Sequence, residues 1–241
     1  MSEVKLSVII VHYRNVDNLF TCLSSIKKYK PKVSFEIIVV DNDEKKTIEK
    51  RLERKFPWVS YVKARGNTGY AKGNNLGASE ARGEYLLILN PDTEVLENAL
   101  DVLCNFLRKN IKTAIVAPLL LDKNGNVYPL QGSSELNPIS AVFSLSFLNK
   151  LFPNNPVAKK YWLDDWDKQK NREVSVVPGS AFLIRKNVFR KIGGFDENYF
   201  LYFEESDLCK RVLELGYKIF IEPRAKVIHY WKGSTSKEKS E

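Results

Sequence analysis

A carboxylate directly follows one of the most apolar runs in the chain. Residues 85–89 are apolar without interruption (YLLIL), and Asn90-Pro91-Asp92-Thr93 comes next. A run of this length between turn signals is typical of a strand buried on both faces, and Pro91 ends it because proline has no backbone N–H to donate. Ligands of open α/β sheets bind at the carboxyl ends of strands, so Asp92 is a candidate ligand-binding residue. The alternative is that Asp92 or Thr93 only caps the next helix.

A second acidic group lies far along the chain. Glu204-Glu205-Ser206-Asp207 follows the aromatic stretch 200–203 and precedes a segment with apolar residues at helical spacing. A carboxylate held against apolar rings has a raised proton affinity, which suits a general base. We therefore expect Glu204, Glu205 and Asp207 to form a catalytic group. For Asp207 alone we favour a supporting role, because acidic side chains stabilise the first turn of a helix.

Polar side chains also end two other predicted strands. Asp41 follows the β-rich run Phe35–Val40, and His229 ends the short run Lys226–His229. The chain's other histidine, His12, follows the first β-rich run. A lone histidine is usually structural or merely exposed, but His229 resembles Asp92 in its place at the end of a strand.

A glycine-rich stretch, RGNTGYAKGNNLG, occupies residues 65–77. It lacks the Lys-Ser/Thr ending of a P-loop, and no dinucleotide-binding fingerprint follows the first strand. The glycines serve either turns and close helix packing or a bound ligand, and the spacing alone leaves both open. The asparagines of this stretch, above all Asn67 and Asn74, are harder to explain by packing, so they are candidate ligand-binding residues.

Predicted strands alternate with predicted helices through the first half of the chain. This order indicates an α/β fold with a mostly parallel, doubly wound central sheet and helices on both faces. The 241 residues, 44% hydrophobic and 28% charged, are enough for one globular domain. We expect a single domain, 1–241, with residues 1–122 as one half and residues 123–241 as the other.

Composition also limits the partners and the compartment. The net charge of +9 favours an anionic partner, but no nucleic-acid-binding motif accompanies it, so we expect none to be bound. No apolar run reaches the roughly 18 residues of a membrane span, and the first ten residues lack the pattern of a signal peptide. The three cysteines, Cys22, Cys104 and Cys209, are far apart and predict reduced packing residues. We therefore expect a cytoplasmic protein.

Residues 139–166 differ in character from the rest. They are rich in aromatic residues, contain Lys159-Lys160 and show no clean periodicity. The segment is predicted to be a cover over the site or a surface that meets a membrane, which would make the protein peripheral at the membrane's inner face. The alternative is an insertion that simply packs on the body of the protein.

Taken in order, these stretches resemble the family 2 glycosyltransferases, especially the bacterial rhamnosyltransferase-like branch. The matching segments run along nearly the whole chain: LSVIIVHYRN, IIVVDN, RGNTGYAKGNNLGASEARGEYLLILNPDTEV, VPGSAFLIR, IGGFDENYFLYFEESDLCKRVLELGY and VIHYWKGST. The resemblance implies a Rossmann-like nucleotide-diphospho-sugar transferase (GT-A type) fold. It also implies a divalent cation, Mg²⁺ or Mn²⁺, and inversion at the anomeric carbon. It further implies that 1–122 is the nucleotide-sugar-binding half of the domain and 123–241 the acceptor and catalytic half.

The same resemblance implies roles for individual residues. Asn90-Pro91-Asp92 matches the family's D-x-D metal motif with the first aspartate replaced, so Asp92 is the expected metal ligand. Glu204-Glu205 matches a Glu-Asp pair whose second member is the base. His229 matches a histidine that helps to hold the metal or the diphosphate. The residues implied in nucleotide-sugar binding, with Asp41 and Asn67 on the pyrimidine base, are His12, Tyr13, Asp41, Asn67, Asn74, Asn90 and Asp92. One departure is Asn42-Asp43-Glu44, where the family usually continues Asn-x-Ser.

These features together predict an inverting sugar transferase. The expected donor is dTDP-L-rhamnose, and the expected acceptor is a glycan or lipid-linked glycan in cell-surface polysaccharide synthesis. A transferase using a UDP-sugar is one alternative. A nucleotidyltransferase and a catalytically silent nucleotide-sugar-binding module are the others; the first of these would require a glycine-rich, basic first turn, which the sequence lacks.

Overall fold

The computed structural model of the chain describes residues 4–45, 47–129 and 131–230. The strands are β1 (Leu6–His12), β2 (Phe35–Asp41), β3 (Ser60–Lys63), β4 (Tyr85–Leu89), β5 (Thr93–Val95), β6 (Thr113–Leu121), β7 (Arg172–Glu173), β8 (Ala181–Arg185) and β9 (Lys218–His229). The helices are α1 (Val16–Lys28), α2 (Glu49–Lys55), α3 (Gly69–Glu80), α4 (Ala99–Lys109), α5 (Pro138–Leu145), α6 (Leu148–Leu151), α7 (Pro156–Tyr161), α8 (Lys186–Lys191) and α9 (Glu204–Glu214).

Within the described residues the strands form one sheet in the order β3-β2-β1-β4-β8-β6-β9-β5, with β7 beside β9. The expectation of an α/β fold with helices on both faces is confirmed, but the sheet is mixed rather than mostly parallel. Strands β3, β2, β1 and β4 run parallel, as does the pair β6 and β9. Strand β8 is antiparallel to both of its neighbours, β4 and β6. Hydrophobic periodicity reports that a strand is buried, not which way its neighbour runs, so the sequence could not reveal this reversal.

The sheet also joins the two halves of the chain. Strand β8, from the second half, lies between β4 and β6, which come from the first half. The buried residues of the two faces form separate clusters: α1, α2 and α4 pack on one face, and α3, α8 and α9 on the other. All three cysteines are buried and free, and burial raises the pKa of each thiol to about 12.

Helix α3 packs unusually close to the sheet, and its glycines make this possible. A Cβ atom on Gly77 would lie 2.5 Å from a methyl carbon of Ile9, and one on Gly73 would lie 2.8 Å from Val11. Gly69, at the start of the helix, has a positive φ of 81°. These glycines therefore serve packing and a turn, the first of the two roles that the sequence left open. Across the residues described, every helix is too short or too polar to traverse a lipid bilayer.

Candidate active site

The parallel part of the sheet brings polar side chains to one edge. Strands β1 and β2 are in register so that His12 is paired with Asp41, each the last residue of its strand. Strand β4 runs parallel to β1 and ends at Leu89, immediately before Asn90. The carboxyl ends of parallel strands share one edge of a sheet, so these positions lie along the edge where ligands of open α/β sheets bind.

Asp41 and His12 form a buried pair at this edge. The His12 Nδ1 atom lies 3.1 Å from Asp41 Oδ1, and both side chains are almost completely buried. Burial alone would raise the pKa of Asp41, but hydrogen bonds from His12, the Asp43 amide, Tyr61 and Lys63 lower it to about 2. An ionised carboxylate can only accept, so His12 must donate from Nδ1, and neutral His12 keeps a lone pair on Nε2. Within the described structure this buried Nε2 has no hydrogen-bond partner.

This geometry changes how Asp41 can contribute to base recognition. Its two oxygens already accept from His12, the Asp43 amide, Tyr61 and Lys63. A nucleotide base can therefore bind Asp41 directly only by replacing one of these donors. The Asp41 carboxylate fixes the tautomer of His12 instead, and His12 becomes a candidate contact. The family resemblance placed both residues here but did not reveal this arrangement.

Hydrogen bonds from the Asn42 side chain join the loop after β2 to the start of α3. The Asn42 amide donates to the carbonyl of Gly69 (2.9 Å), and its oxygen accepts from Thr68 Oγ1 (3.1 Å). Asn67 is exposed, and its side-chain oxygen accepts from the Gly69 amide (3.3 Å). Asn74 is buried, and its side chain donates to the carbonyl of Tyr70 one turn earlier (3.0 Å). Asn67 thus lies where a ligand can reach it, whereas the contact of Asn74 is internal to its helix.

Tyr13 follows β1 and is half-buried. The Arg14 guanidinium lies over its ring, 4.8 Å from the centroid, and Arg14 itself has a positive φ of 59°. A cation over an aromatic face is attracted to the ring's negative charge distribution. Tyr13 and Arg14 therefore form a contacting pair directly after the end of β1.

Asp92 and His229 meet at the far side of the same edge. The His229 Nε2 atom lies 3.5 Å from Asp92 Oδ1, and both side chains are largely buried. Their approach follows from the antiparallel pairing of β5 with β9, in which Thr93 is opposite His229, and from a hydrogen bond of the Tyr230 amide to the Asp92 carbonyl (2.9 Å). The short strand β5 follows Asp92, so neither Asp92 nor Thr93 caps a helix.

A carboxylate oxygen and an imidazole nitrogen are both ordinary metal ligands. Within the described residues no group of three or more His, Cys, Asp or Glu side chains could hold a metal ion. The pair Asp92 and His229 therefore fits a cation whose remaining ligands come from substrate phosphates and water, the usual mode for Mg²⁺ in enzymes that act on phosphates. A nitrogen ligand at this position would favour Mn²⁺ over Mg²⁺, because Mg²⁺ binds through oxygen.

The second acidic group begins helix α9. Glu204 is buried, with one carboxylate oxygen that has no hydrogen-bond partner within the described structure, whereas Glu205 is half-buried. Burial raises the pKa of Glu204 to about 7, with a further contribution from the charge of Glu205. Burial also raises the pKa of Glu205. Both carboxyl groups therefore have the proton affinity expected of a general base.

Asp207, one turn further along α9, is occupied elsewhere. It accepts from two nitrogens of Arg211, and Arg211 donates in turn to the carbonyls of Ile192 and Gly194 (both 2.7 Å). This network attaches α9 to the turn after α8. Asp207 therefore has a structural contact that holds α9 in place.

A short segment before β8 connects the two acidic sites. The Asn90 amide donates to the Ser180 carbonyl (2.8 Å), and a Cβ atom on Gly179 would lie 3.6 Å from the side chain of Glu205. The Tyr70 hydroxyl donates to the Gly179 carbonyl, and burial together with the charges of Glu205 and Glu204 raises the pKa of Tyr70 well above its usual value. Gly179 thus lies between the Asp92 turn and Glu205.

Sequence reasoning noticed Pro178-Gly179 only as a break in a β-rich stretch and assigned no role to Tyr70. The signal available was the segment VPGSAFLIR, which carried part of the family resemblance. Tyr128 was also missed: its hydroxyl donates to the His229 carbonyl (2.9 Å). No sequence pattern connects Tyr128 with His229.

Among solved structures, the chain is similar to GalNAc-T7, determined with UDP, GalNAc and Mn²⁺. The TM-score is 0.70 at 18% identity, and the match covers 95% of this chain but 44% of that one. At this identity the likeness supports the fold.

Several proteins of known activity are similar in sequence. The chain is 26% identical over 249 residues to the N-acetylglucosaminyl-diphospho-decaprenol L-rhamnosyltransferase of Mycobacterium tuberculosis, covering 99% of this chain and 80% of that protein. It is 24% identical over 206 residues to the rhamnosyltransferase WbbL of Escherichia coli, covering 81% and 73%. It is 28% identical over 214 residues to the low-salt glycan biosynthesis hexosyltransferase Agl10 of Haloferax volcanii, covering 86% and 61%.

The model of one protein family, described as glycosyl transferase family 2, matches residues 7–193. The match includes the carboxyl ends of β1, β2 and β4 and the segment that connects the Asp92 turn with Glu205. With the polar edge of the sheet, the nucleotide-sugar transferase architecture and this match in agreement, the chain belongs to glycosyl transferase family 2.

Proposed function

We propose that the protein transfers L-rhamnose from dTDP-L-rhamnose to a hydroxyl group of a glycan or lipid-linked glycan, with inversion at the anomeric carbon. The observation that carries this proposal is the segment at Gly179 and Ser180, which contacts both the Asp92 turn and Glu205. A group suited to the leaving diphosphate and a group suited to the attacking hydroxyl thus flank one cleft. The choice of L-rhamnose as the sugar rests on two similar proteins that are rhamnosyltransferases.

The donor nucleotide is proposed to bind across the ends of β1 and β2. The Nε2 atom of His12, whose Nδ1 is held by Asp41, is proposed as the acceptor for the imide N–H that thymine and uracil share. Asp92 and His229 would hold a divalent cation, Mn²⁺ in preference to Mg²⁺, and when bound this cation would neutralise charge on the diphosphate leaving group. Tyr13, Asn67 and Asn90 border the same cleft, and we assign them to contacts with the nucleotide-sugar.

Glu205 is proposed to accept the proton of the acceptor hydroxyl as its oxygen attacks the anomeric carbon. The bond from that carbon to the diphosphate oxygen breaks in the same displacement, and dTDP leaves. A single displacement inverts the configuration, because a retained configuration would require a second, nucleophilic carboxylate. The raised pKa of Glu205, caused by burial, makes it a stronger base than an ordinary glutamate.

A UDP-sugar is the second candidate donor, because the His12 and Asp41 pair reads a feature common to uracil and thymine. The acceptor is proposed to belong to cell-surface polysaccharide synthesis on the inner face of the membrane. A lipid-linked acceptor lies in a bilayer, so the enzyme must meet the membrane surface while it works.

The test is an assay of dTDP release with purified protein, Mn²⁺ and a synthetic N-acetylglucosaminyl-diphospho-lipid acceptor. A panel of dTDP- and UDP-sugars compared by thermal shift would identify the donor first, since a ligand at 100 times its Kd stabilises the fold by about 2.7 kcal/mol. We expect acceptor-dependent release of dTDP and a product of inverted configuration by NMR. Stabilisation by nucleotide-sugars without any release would instead indicate a silent binding module. In a separate assay with dTTP and a sugar 1-phosphate, release of inorganic pyrophosphate would indicate a nucleotidyltransferase.

A further inference from the structure

The three helices α5, α6 and α7 form an insertion between β6 and β7. Many of its apolar side chains lie on the outside: Ile139, Phe147, Leu151 and Phe152 are 63%, 68%, 63% and 58% exposed, and Leu136, Val142 and Leu145 are exposed as well. Large exposed apolar patches are uncommon on soluble proteins and mark surfaces that meet a partner or a membrane. Residues 136–152, which carry these side chains, are called the apolar face below.

The apolar face does not arise from a poorly formed segment. Helix α5 begins with a full capping box, in which Asn137 and Ser140 exchange hydrogen bonds, and has Pro138 in its first turn. Asn155 caps α7 and also donates to the carbonyls of Phe143 (3.2 Å) and Phe152 (2.8 Å). Polar contacts thus fix the backbone of the insertion while apolar side chains point outward.

The base of the insertion is attached firmly to the protein. Tyr161, Leu163 and Trp166 are buried, and the Ser134 amide donates to the Tyr161 carbonyl (2.9 Å). Residues 139–166 were expected to be a cover or a membrane-facing insertion, or else an insertion packed on the body; in their last part Tyr161 and Trp166 are buried in the interior. Only the earlier part presents the apolar face.

The charges on the insertion indicate what the apolar face meets. Residues 136–163 contain three lysines and no aspartate or glutamate. Lys150, Lys159 and Lys160 are all exposed, the first within the apolar face and the other two on the neighbouring helix α7. Glu135 directly precedes this stretch and Asp164 and Asp165 directly follow it, and all three are exposed. Within the stretch itself, exposed apolar residues beside lysines match an anionic bilayer, where apolar groups enter the interface and lysines meet the headgroups.

The insertion also leaves the body of the protein beside the candidate base. Ser133 pairs with Val176 in an antiparallel bridge, and Val176 is three residues before Gly179, which faces Glu205. The insertion therefore meets the body of the protein within a few residues of Gly179, which lies next to Glu205.

We propose that the apolar face, residues 136–152, is a membrane-docking surface that places the cleft against an anionic lipid bilayer. The inference rests on the proposed function in one respect: docking would bring the cleft to a lipid-linked acceptor in the bilayer. The docking itself requires neither donor nor acceptor, so it can be tested independently.

The experiment is flotation of the full chain with vesicles of phosphatidylcholine containing about one-third phosphatidylglycerol, compared with vesicles of phosphatidylcholine alone. We expect binding to the anionic vesicles that weakens by at least roughly tenfold between about 0.05 M and about 0.5 M salt, because headgroup attraction is screened. The test variant is Phe147→Ser/Lys150→Glu, which removes an exposed ring and reverses a charge within the apolar face.

The matched control is Ile111→Ser/Lys112→Glu, because Ile111 is 78% exposed and Lys112 is exposed in the turn before β6, outside the insertion. We expect the test variant to lose vesicle binding at least roughly tenfold and the control to keep it, with unchanged circular dichroism in both. Equal binding by the two variants, or equal binding of the wild type to neutral and anionic vesicles, would overturn the proposal. So would a change of oligomeric state in the test variant with no change in vesicle binding.

Transfer assays separate this inference from the proposed function. The test variant should transfer normally to a soluble, short-chain acceptor and poorly to the same headgroup embedded in vesicles. Vesicle binding by a wild type that transfers no sugar would leave the docking surface standing and sink the proposed function. Undiminished vesicle binding by the test variant would overturn the docking surface without bearing on the proposed function.

Discussion

The Nε2 atom of His229 lies 3.5 Å from the Oδ1 atom of Asp92, although the two residues come from distant parts of the chain. We expect Asp92→Asn and His229→Gln each to weaken Mn²⁺-dependent binding of dTDP by at least roughly tenfold, since each removes a proposed ligand. Calorimetry with and without Mn²⁺ measures the effect. Asp17→Asn, on the exposed surface of α1, is the control. Full transfer activity in excess EDTA would exclude the metal role.

The Asp41 carboxylate is expected to control selectivity for the base through His12. Cytosine has no imide N–H, so the wild type should bind CDP far more weakly than dTDP or UDP. Asp41→Asn removes the group that fixes the His12 tautomer and should reduce this difference, as measured by calorimetry. Comparable affinity of the wild type for CDP and dTDP would contradict the assignment.

The same carboxylate has a predictable effect on acid stability. Its pKa is lowered from 3.8 to about 2 in the folded protein. A lowered pKa contributes stability above the unfolded value, and this contribution, about 2 kcal/mol, is lost as the pH falls through 3.8 toward 2. Denaturant unfolding of wild type and Asp41→Asn should therefore converge at low pH. A difference in free energy of unfolding between the two proteins that grows as the pH falls would contradict the lowered pKa of Asp41.

Glu205 is the proposed base, and Glu205→Gln keeps its shape without its proton acceptor. We expect the variant to bind donor and metal normally and to lose turnover by roughly 10²- to 10⁴-fold, the usual contribution of a positioned base. Glu204→Gln and Asp207→Asn should be measured beside it. Near-normal turnover of Glu205→Gln with collapse of Asp207→Asn would transfer the role to Asp207.

Glu204 should make the protein less stable as the pH rises. Burial raises its pKa from 4.5 to about 7, so the folded state holds a proton that the unfolded state has released across this range. Stability is therefore complete below about pH 4.5 and falls as the pH rises toward 7, by an amount on the order of 2–3 kcal/mol. Glu204→Gln should flatten this decline in thermal unfolding. The exposed Glu214→Gln on the same helix should leave it unchanged.

The two residues before the acidic pair have left-handed backbones, with φ 72° at Tyr202 and φ 69° at Phe203. Such conformations are costly for residues with a Cβ atom, so Phe203→Gly should stabilise the fold, by up to about 1 kcal/mol after the greater freedom of the unfolded chain is subtracted. We expect turnover to fall, because the helix start that carries Glu205 is less constrained. Tyr199→Gly, which relieves no positive φ, should destabilise instead. A stabilised and fully active Phe203→Gly would show that the strain has no part in catalysis.

The sequence alone determined which residues end the strands. Apolar runs of strand length stop at Asp41, Asn90 and His229, and the structure places the ends of β2, β4 and β9 at these positions. This information is local, because burial demands apolar side chains and proline or polar residues interrupt them. The α/β class followed from the same pattern, and the order of the motifs predicted the family.

Tertiary structure alone decided what these residues contact. The antiparallel β8 between β4 and β6, the meeting of Asp92 with His229, and the position of Gly179 between Asp92 and Glu205 all depend on pairings between distant segments. Hydrophobic periodicity along a chain indicates which side chains are buried, but it does not identify the neighbouring strand with which a strand pairs. The enclosure of Asp41 by four donors and the exposure of the apolar face depend on such partners, so the sequence could name their residues but not their environment.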